Sequence, residues 1–129
     1  MRLAEVQNIL EAKLAWNVEC AELEAMEVSS CHASDLISDI LSFHGLNSLL
    51  LTGVTNAQVI RTAEILDFVA VCFVRGKRPQ PEAVALAEEK GIPLFVAPLS
   101  MYESCARLAA EGLVPGASKK AIADWQTER

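Results

Sequence analysis

The chain has 129 residues, 52% of them hydrophobic and 22% charged, with a formal net charge of −6. That length fits one domain with a core large enough to stand without metals or disulfides, and the composition is that of a folded globule, not a disordered tail. The acidic balance argues against nucleic acid or an anionic membrane surface as the main partner, and every apolar run is far shorter than the roughly 20 residues of a spanning helix.

The first residues, Met1-Arg2-Leu3-Ala4-Glu5, include an acid and no long apolar core, so no secretory signal is expected. Leu3, Val6, Ile9, Leu10, Lys13 and Leu14 follow helical spacing, which predicts an amphipathic helix over residues 2–15. Trp16 to Glu22 reads as a short strand or a loop, and Ala25 to Cys31 as a strand. Ser34 is placed to cap a helix running to Phe43 and ending near Gly45.

From Ser48 onward an apolar run, a polar turn and a capped helix follow one another three times. The runs are Ser48–Thr52, Phe68–Val74 and Leu94–Ala97. Continuous apolar strands alternating with helices predict a mainly parallel sheet covered on both faces, an α/β domain of three layers. Thr55-Asn56-Ala57-Gln58 and Ser100-Met101-Tyr102-Glu103 have the form of capping boxes. Pro81 suits a first helical turn, and Gly91 and Gly112 suit left-handed helix ends. After Leu113 the composition changes, and residues 114–129 read as a tail. Ala121, Ile122 and Trp125 there would form the apolar face of a short helix, either docked on the domain or frayed.

In a parallel sheet of this kind ligands sit beyond the carboxyl ends of the strands. Three turns gather there: Thr52-Gly53-Val54-Thr55, Arg75-Gly76-Lys77-Arg78-Pro79 and Pro98-Leu99-Ser100. Helix N-termini offer unpaired N–H groups to phosphate or carboxylate. Gly53 would allow close approach, and Arg75, Lys77 and Arg78 would supply charge. The competing reading is that the glycines only make turns and the cations only solvate an edge. Ser34 and Asp35 join the candidates, Asp35 either facing a ligand or a magnesium ion or complementing a helix dipole. The ligand-binding candidates are thus Ser34, Asp35, Thr52, Gly53, Thr55, Arg75, Lys77, Arg78 and Ser100.

Catalytic and metal chemistry find less support. Cys31-His32, Cys20 and His44 lack the paired spacing of zinc sites, and no cofactor is expected. Cys31 and His32, adjacent in a strand, point to opposite faces and cannot act as nucleophile and base. The cysteines Cys20, Cys31, Cys72 and Cys105 include no C-x-x-C pair and read as reduced thiols of a cytoplasmic protein.

Val28 to Leu113 resembles the DRTGG domain family, whose fold is akin to the N-terminal domain of HPr kinase/phosphorylase. The matching stretches are Ala33 to Asp39, Leu51-Thr52-Gly53, Leu86 to Leu94, and Pro98-Leu99-Ser100 with its following helix. The chain is most similar to stand-alone members associated with iron hydrogenases. Where the eponymous Asp-Arg-Thr-Gly-Gly run belongs, this sequence reads Leu23 to Cys31. Glu24 and Ser29 keep an acid and a hydroxyl, the arginine is absent, and Ser30 and Cys31 stand in place of glycines. The resemblance implies a DRTGG-like domain over residues 1–113, best matched over 28–113. It also implies a non-catalytic regulatory or adaptor role, a homodimer, and a nucleotide or phosphate ligand. Two other readings stand beside it. One is an accessory subunit docking onto a redox enzyme such as an iron hydrogenase, or onto a kinase-like regulator. The other is an enzyme or phosphotransfer accessory acting on a phosphorylated metabolite.

Overall fold

The structure, a computed structural model, describes residues 1–116. Along them run α1 (Leu3–Ile9), β1 (Lys13–Leu14), α2 (Cys20–Ala25), β2 (Ser30–Ala33), α3 (Ile37–Ile40) and β3 (Ser48–Thr52). There follow α4 (Ala57–Ile65), β4 (Ala70–Phe73), α5 (Pro81–Lys90), β5 (Leu94–Val96), α6 (Met101–Ala110) and β6 (Val114–Pro115). The strands form one six-stranded sheet in the order β1-β5-β4-β3-β2-β6. β1 is antiparallel to β5, and every other pairing is parallel.

The apolar runs form strands because both faces of the sheet are covered. Side chains alternate between faces along a strand. Leu49, Leu51, Ala70, Cys72 and Phe95 therefore meet Leu3, Val6, Leu10 and Leu108 on the α1 and α6 side. Leu50, Val71, Phe73 and Leu94 meet Val59, Ile60, Ala63, Ala83 and Ala87 from α4 and α5 on the other. The result is the expected three-layer α/β domain. Every residue of β3 and β4 is buried. The few polar groups inside are paired, as Ser30 Oγ is with Ser48 Oγ.

Helix ends decide several boundaries. Gly91 (φ 70°) and Gly112 (φ 94°) take the left-handed conformation. Each lets the next N–H reach back into its helix, Ile92 to the Ala87 carbonyl at 2.9 Å and Leu113 to that of Leu108 at 3.0 Å. Two further helices close the same way without glycine. Glu11 (φ 55°) lets the Ala12 N–H reach the Gln7 carbonyl at 2.9 Å, and Asp67 (φ 64°) lets Phe68 reach Ala63 at 2.9 Å. The first of these corrects the helix expected over residues 2–15. α1 stops at Ile9, the chain reverses at Glu11, and Lys13 and Leu14 become an edge strand on β5.

Other expectations shift in detail. Cys20–Ala25 is a helix burying Leu23, so the strand expected over Ala25 to Cys31 starts only at Ser30. The helix expected from Ser34 to Phe43 is the single turn α3. Ser34 Oγ accepts the Leu36 N–H at 3.1 Å, holding Leu36 extended, and the helix begins only after it. Asn56, not Thr55, caps α4, its side-chain oxygen accepting the Val59 N–H at 3.3 Å. Val114 and Pro115, read from sequence as the start of the tail, add a strand beside β2. The expected short helix around Ala121, Ile122 and Trp125 lies outside the described residues.

Candidate functional site

The carboxyl ends of the parallel strands carry four loops that are tied to one another in sequence. Asp35, after β2, accepts the Gly53 N–H through Oδ1 at 2.6 Å and the Arg75 guanidinium through Oδ2 at 3.4 Å. A side chain at Gly53 could not fit without displacing these groups, since a Cβ there would stand 2.5 Å from Arg75 Nη2 and 2.9 Å from Asp35 Oδ1. Arg75 and Gly76 are both left-handed (φ 59° and 66°). Their N–H groups donate to the carbonyls of Leu99 at 2.7 Å and Ala97 at 2.8 Å. Gln80 then donates back to the Thr55 carbonyl at 2.9 Å. The loop from Arg75 to Gln80 is thus held from both sides.

These ties use groups that the sequence had offered to a ligand. The Gly53 N–H is taken by Asp35. Ser100 Oγ caps α6 by accepting the Glu103 N–H at 3.1 Å. Thr52, fully buried, accepts the Val54 N–H at 3.1 Å, and Ser34 is spent on Leu36. The structure therefore brings Asp35, Gly53 and Arg75 together as a self-satisfied clasp, and gives Ser34, Thr52 and Ser100 local backbone duties. Thr55 lends its backbone carbonyl to Gln80. Lys77 and Arg78 remain exposed, and among the described residues neither has an ion-pair partner.

Arg78 leads to a feature that the sequence did not disclose. A groove of about 640 Å³ runs between the Gly76–Pro79 loop, the end of β5 at Val96 and Pro98, Val84 of α5, and the edge formed by Lys13, Leu14 and Ala15. Lys13 pairs directly with Val96, so both side chains stand on one face of the sheet. That face is the one carrying α5, because Leu94, two residues before Val96, packs against α4 and α5. Glu11 also lines the groove, but its carboxylate is engaged by Arg107 at 2.6 Å. Sequence periodicity missed Lys13 because it placed that residue on a helix.

A second cavity, of about 370 Å³, lies at the opposite edge between β2, β6 and α6, lined in part by Cys31, His32, Phe43, Cys105 and Gly116. It is built for packing. His32 stacks on Phe43 with ring centroids 4.2 Å apart and meets Phe68 edge-on at 5.7 Å. Its Nε2–H donates to the His44 carbonyl at 3.0 Å. Burial pushes the Cys31 thiol strongly upward and that of Cys72 up to about 12, which keeps both as thiols at neutral pH. Among the described residues no group of three or more His, Cys, Asp or Glu side chains is placed to hold a metal ion.

Burial also holds the His32 pKa below its ordinary 6.5. The unfolded chain then takes up a proton near 6.5 while the folded chain resists it. Stability from this residue is present above that pH and is lost as pH falls through the lower folded value. The melting temperature is expected to drop between about pH 7.5 and about pH 5.5, and to drop less in His32→Gln, which keeps a donor for the His44 carbonyl. Parallel pH curves for the two proteins would contradict this.

No protein-family model and no curated protein matches the chain. Among solved structures, it is similar to the CBS and DRTGG domains of the regulatory region of a Clostridium perfringens pyrophosphatase, complexed with the activator diadenosine tetraphosphate. The TM-score is 0.63 at 12% identity, covering 83% of this chain and 45% of that one. The fold is DRTGG-like. The chain spans less than half of the pyrophosphatase structure, and at this identity the likeness establishes the fold alone. No helix of the described residues is long and apolar enough to cross a membrane.

Proposed function

We propose that this chain is a non-catalytic regulatory domain that binds an anionic metabolite, with nucleotides the first class to test, at the carboxyl ends of its strands. The observation that carries this reading is the loop from Arg75 to Gln80. It is pinned by backbone bonds on both sides, yet it presents Lys77 and Arg78 without an ion-pair partner among the described residues, in a chain of net charge −6. A rigid loop with unpaired cations loses little entropy on capturing an anion. The bound activator of the structurally similar pyrophosphatase region supports nucleotides as candidates. Calorimetric titration with ATP, diadenosine tetraphosphate and acetyl phosphate tests the reading. Binding is expected for at least one of them, weakened in Arg78→Ala by about 1.5–3 kcal/mol, the worth of a charge-assisted hydrogen bond. No binding by the parent, or equal binding by the variant, would overturn it.

An adaptor role fits one further observation. Leu36, Leu41 and Leu46 are 59%, 55% and 69% exposed on the segment around α3. Apolar side chains gathered on one segment suit a protein partner, and a second copy of the chain meeting them about a twofold axis is the simplest. Light scattering at tens of micromolar, an order-of-magnitude working range, is expected to give a dimer that Leu41→Lys dissociates. A parent that stays monomeric would remove the dimer and leave a different protein, such as a redox enzyme, as the partner to seek by co-purification.

A further inference from the structure

The groove beside Arg78 has the size and chemistry of a small-molecule site, and we infer that it is the seat of the ligand and that the ligand is an organic phosphate. This rests on the reading that the strand ends bind an anion, and it adds where the anion sits and what is attached to it.

Size comes first. At about 640 Å³ the groove lies within the range of roughly 300–1,000 Å³ typical of small-molecule sites. A bare phosphate would leave most of it to water. Its walls are mainly aliphatic, with Val84, Val96 and Pro98 offering a surface for an organic body.

Charge comes second. Lys13 and Arg78 reach the groove from opposite sides, one from the β1 edge and one from the loop after β4. Among the described residues neither is ion-paired, although Arg2, Arg75, Lys90 and Arg107 all are. Glu11 is the one acid in the lining, and Arg107 already engages it. The groove therefore presents two free cations against one acid, whose partner Arg107 is shared with Glu103, so the lining is net positive in an acidic protein. A phosphoryl group held between Lys13 and Arg78, with its organic part against the valines, satisfies both halves of the surface.

Position comes third. Lys13 enters the site only because α1 closes at Glu11 and the chain returns as an edge strand opposite Val96. The N-terminal segment and the β4 loop thus supply one cation each, so the site needs the whole domain folded.

The test is calorimetric titration of the full chain with ATP, AMP, acetyl phosphate and inorganic phosphate, using the parent, Lys13→Ala and Val84→Phe. Lys13→Ala removes an exposed cation, and Val84→Phe narrows the apolar wall of the groove while leaving both cations. The expected result is binding of an organic phosphate that is at least about tenfold tighter than binding of inorganic phosphate. Lys13→Ala is expected to weaken it by about tenfold or more, the factor of losing one charge-assisted bond. Val84→Phe is expected to weaken it while leaving any weak binding of inorganic phosphate unchanged. If the parent binds an organic phosphate and both variants bind it equally well, the seat is elsewhere and this inference fails, while the strand-end reading stands. Equal affinity for inorganic phosphate would remove the organic body from the proposal. A parent that binds none of the probes overturns the strand-end reading and this inference with it. Circular dichroism melts accompany each variant. If Val84→Phe does not fold, the exposed Lys13→Ala decides the result alone.

Discussion

Phe73→Ala and Phe95→Ala are each expected to cost about 3–5 kcal/mol of stability, the range for deleting a buried aromatic ring. Both rings are fully buried, but on opposite faces of the sheet. Phe73 packs with α4 and α5, and Phe95 with α1 and α6. The cost at each site combines lost burial with the cavity left behind, and a close-packed interior collapses only partly into such a hole. Against a typical total of about 5–15 kcal/mol, either change removes a large share. Equilibrium urea unfolding measures both. Comparable losses are the signature of a sheet covered equally on its two faces. A cost below about 1 kcal/mol for Phe95→Ala would mean that the α1 and α6 layer does not pack on the sheet as described.

Gly45→Ala is expected to be strongly destabilising although it adds a single methyl group. Gly45 is buried at the end of the segment after α3. A Cβ there would run into the Leu66 carbonyl oxygen and stand 2.8 Å from the Phe68 N and 2.7 Å from its ring. Two of these obstacles are backbone, which cannot turn aside as a side chain can, and the strand β4 begins just beyond them. Overpacking of this kind costs about 1–3 kcal/mol, and the upper end is expected here. Gly53→Ala makes the contrast. Its Cβ would meet only the ends of the exposed Arg75 and Asp35 side chains, whose pairing is worth about 0–1 kcal/mol. Thermal or urea melts of the two variants should therefore separate clearly. A Gly45→Ala protein as stable as Gly53→Ala would contradict the packing of this segment against Leu66 and Phe68.

The contrast between these glycines also bears on how much the sequence disclosed. Ser48–Thr52 is legible residue for residue, because five consecutive apolar or small residues with no polar alternation leave little but a strand buried on both faces. The ends of α5 and α6 are legible because glycine marks them. The end of α1 is not, because Glu11 adopts the left-handed conformation without being glycine, and the apolar spacing continues across the reversal through Leu10 and Leu14. A β-strand of two residues then looks like the last turn of a helix. α3 is misjudged for a related reason. Ser34 has the identity of a helix cap but spends its hydroxyl on Leu36 instead.

The site shows the same division. Strand ends as the candidate place, and Arg78 as a candidate residue, follow from the alternation of strands and helices together with a basic turn. Residue types also single out Asp35, Gly53 and Arg75, but they do not reveal that the carboxylate occupies the glycine's N–H. Lys13 could not be found, because its place depends on where α1 stops. Local signals thus locate an edge, and long-range pairing determines which side chains meet there.

The proposed seat of the anionic metabolite lies between the N-terminal edge strand and the loop after β4. Titration of the ¹⁵N-labelled chain with ATP, followed by amide chemical shifts, tests it most directly. Saturable shifts are expected, concentrated at Lys13, Gly76, Arg78, Val84 and Val96, with little change around Leu36 to Leu46. Shifts confined to that distant segment, or no shifts at all with every phosphorylated probe, would contradict it.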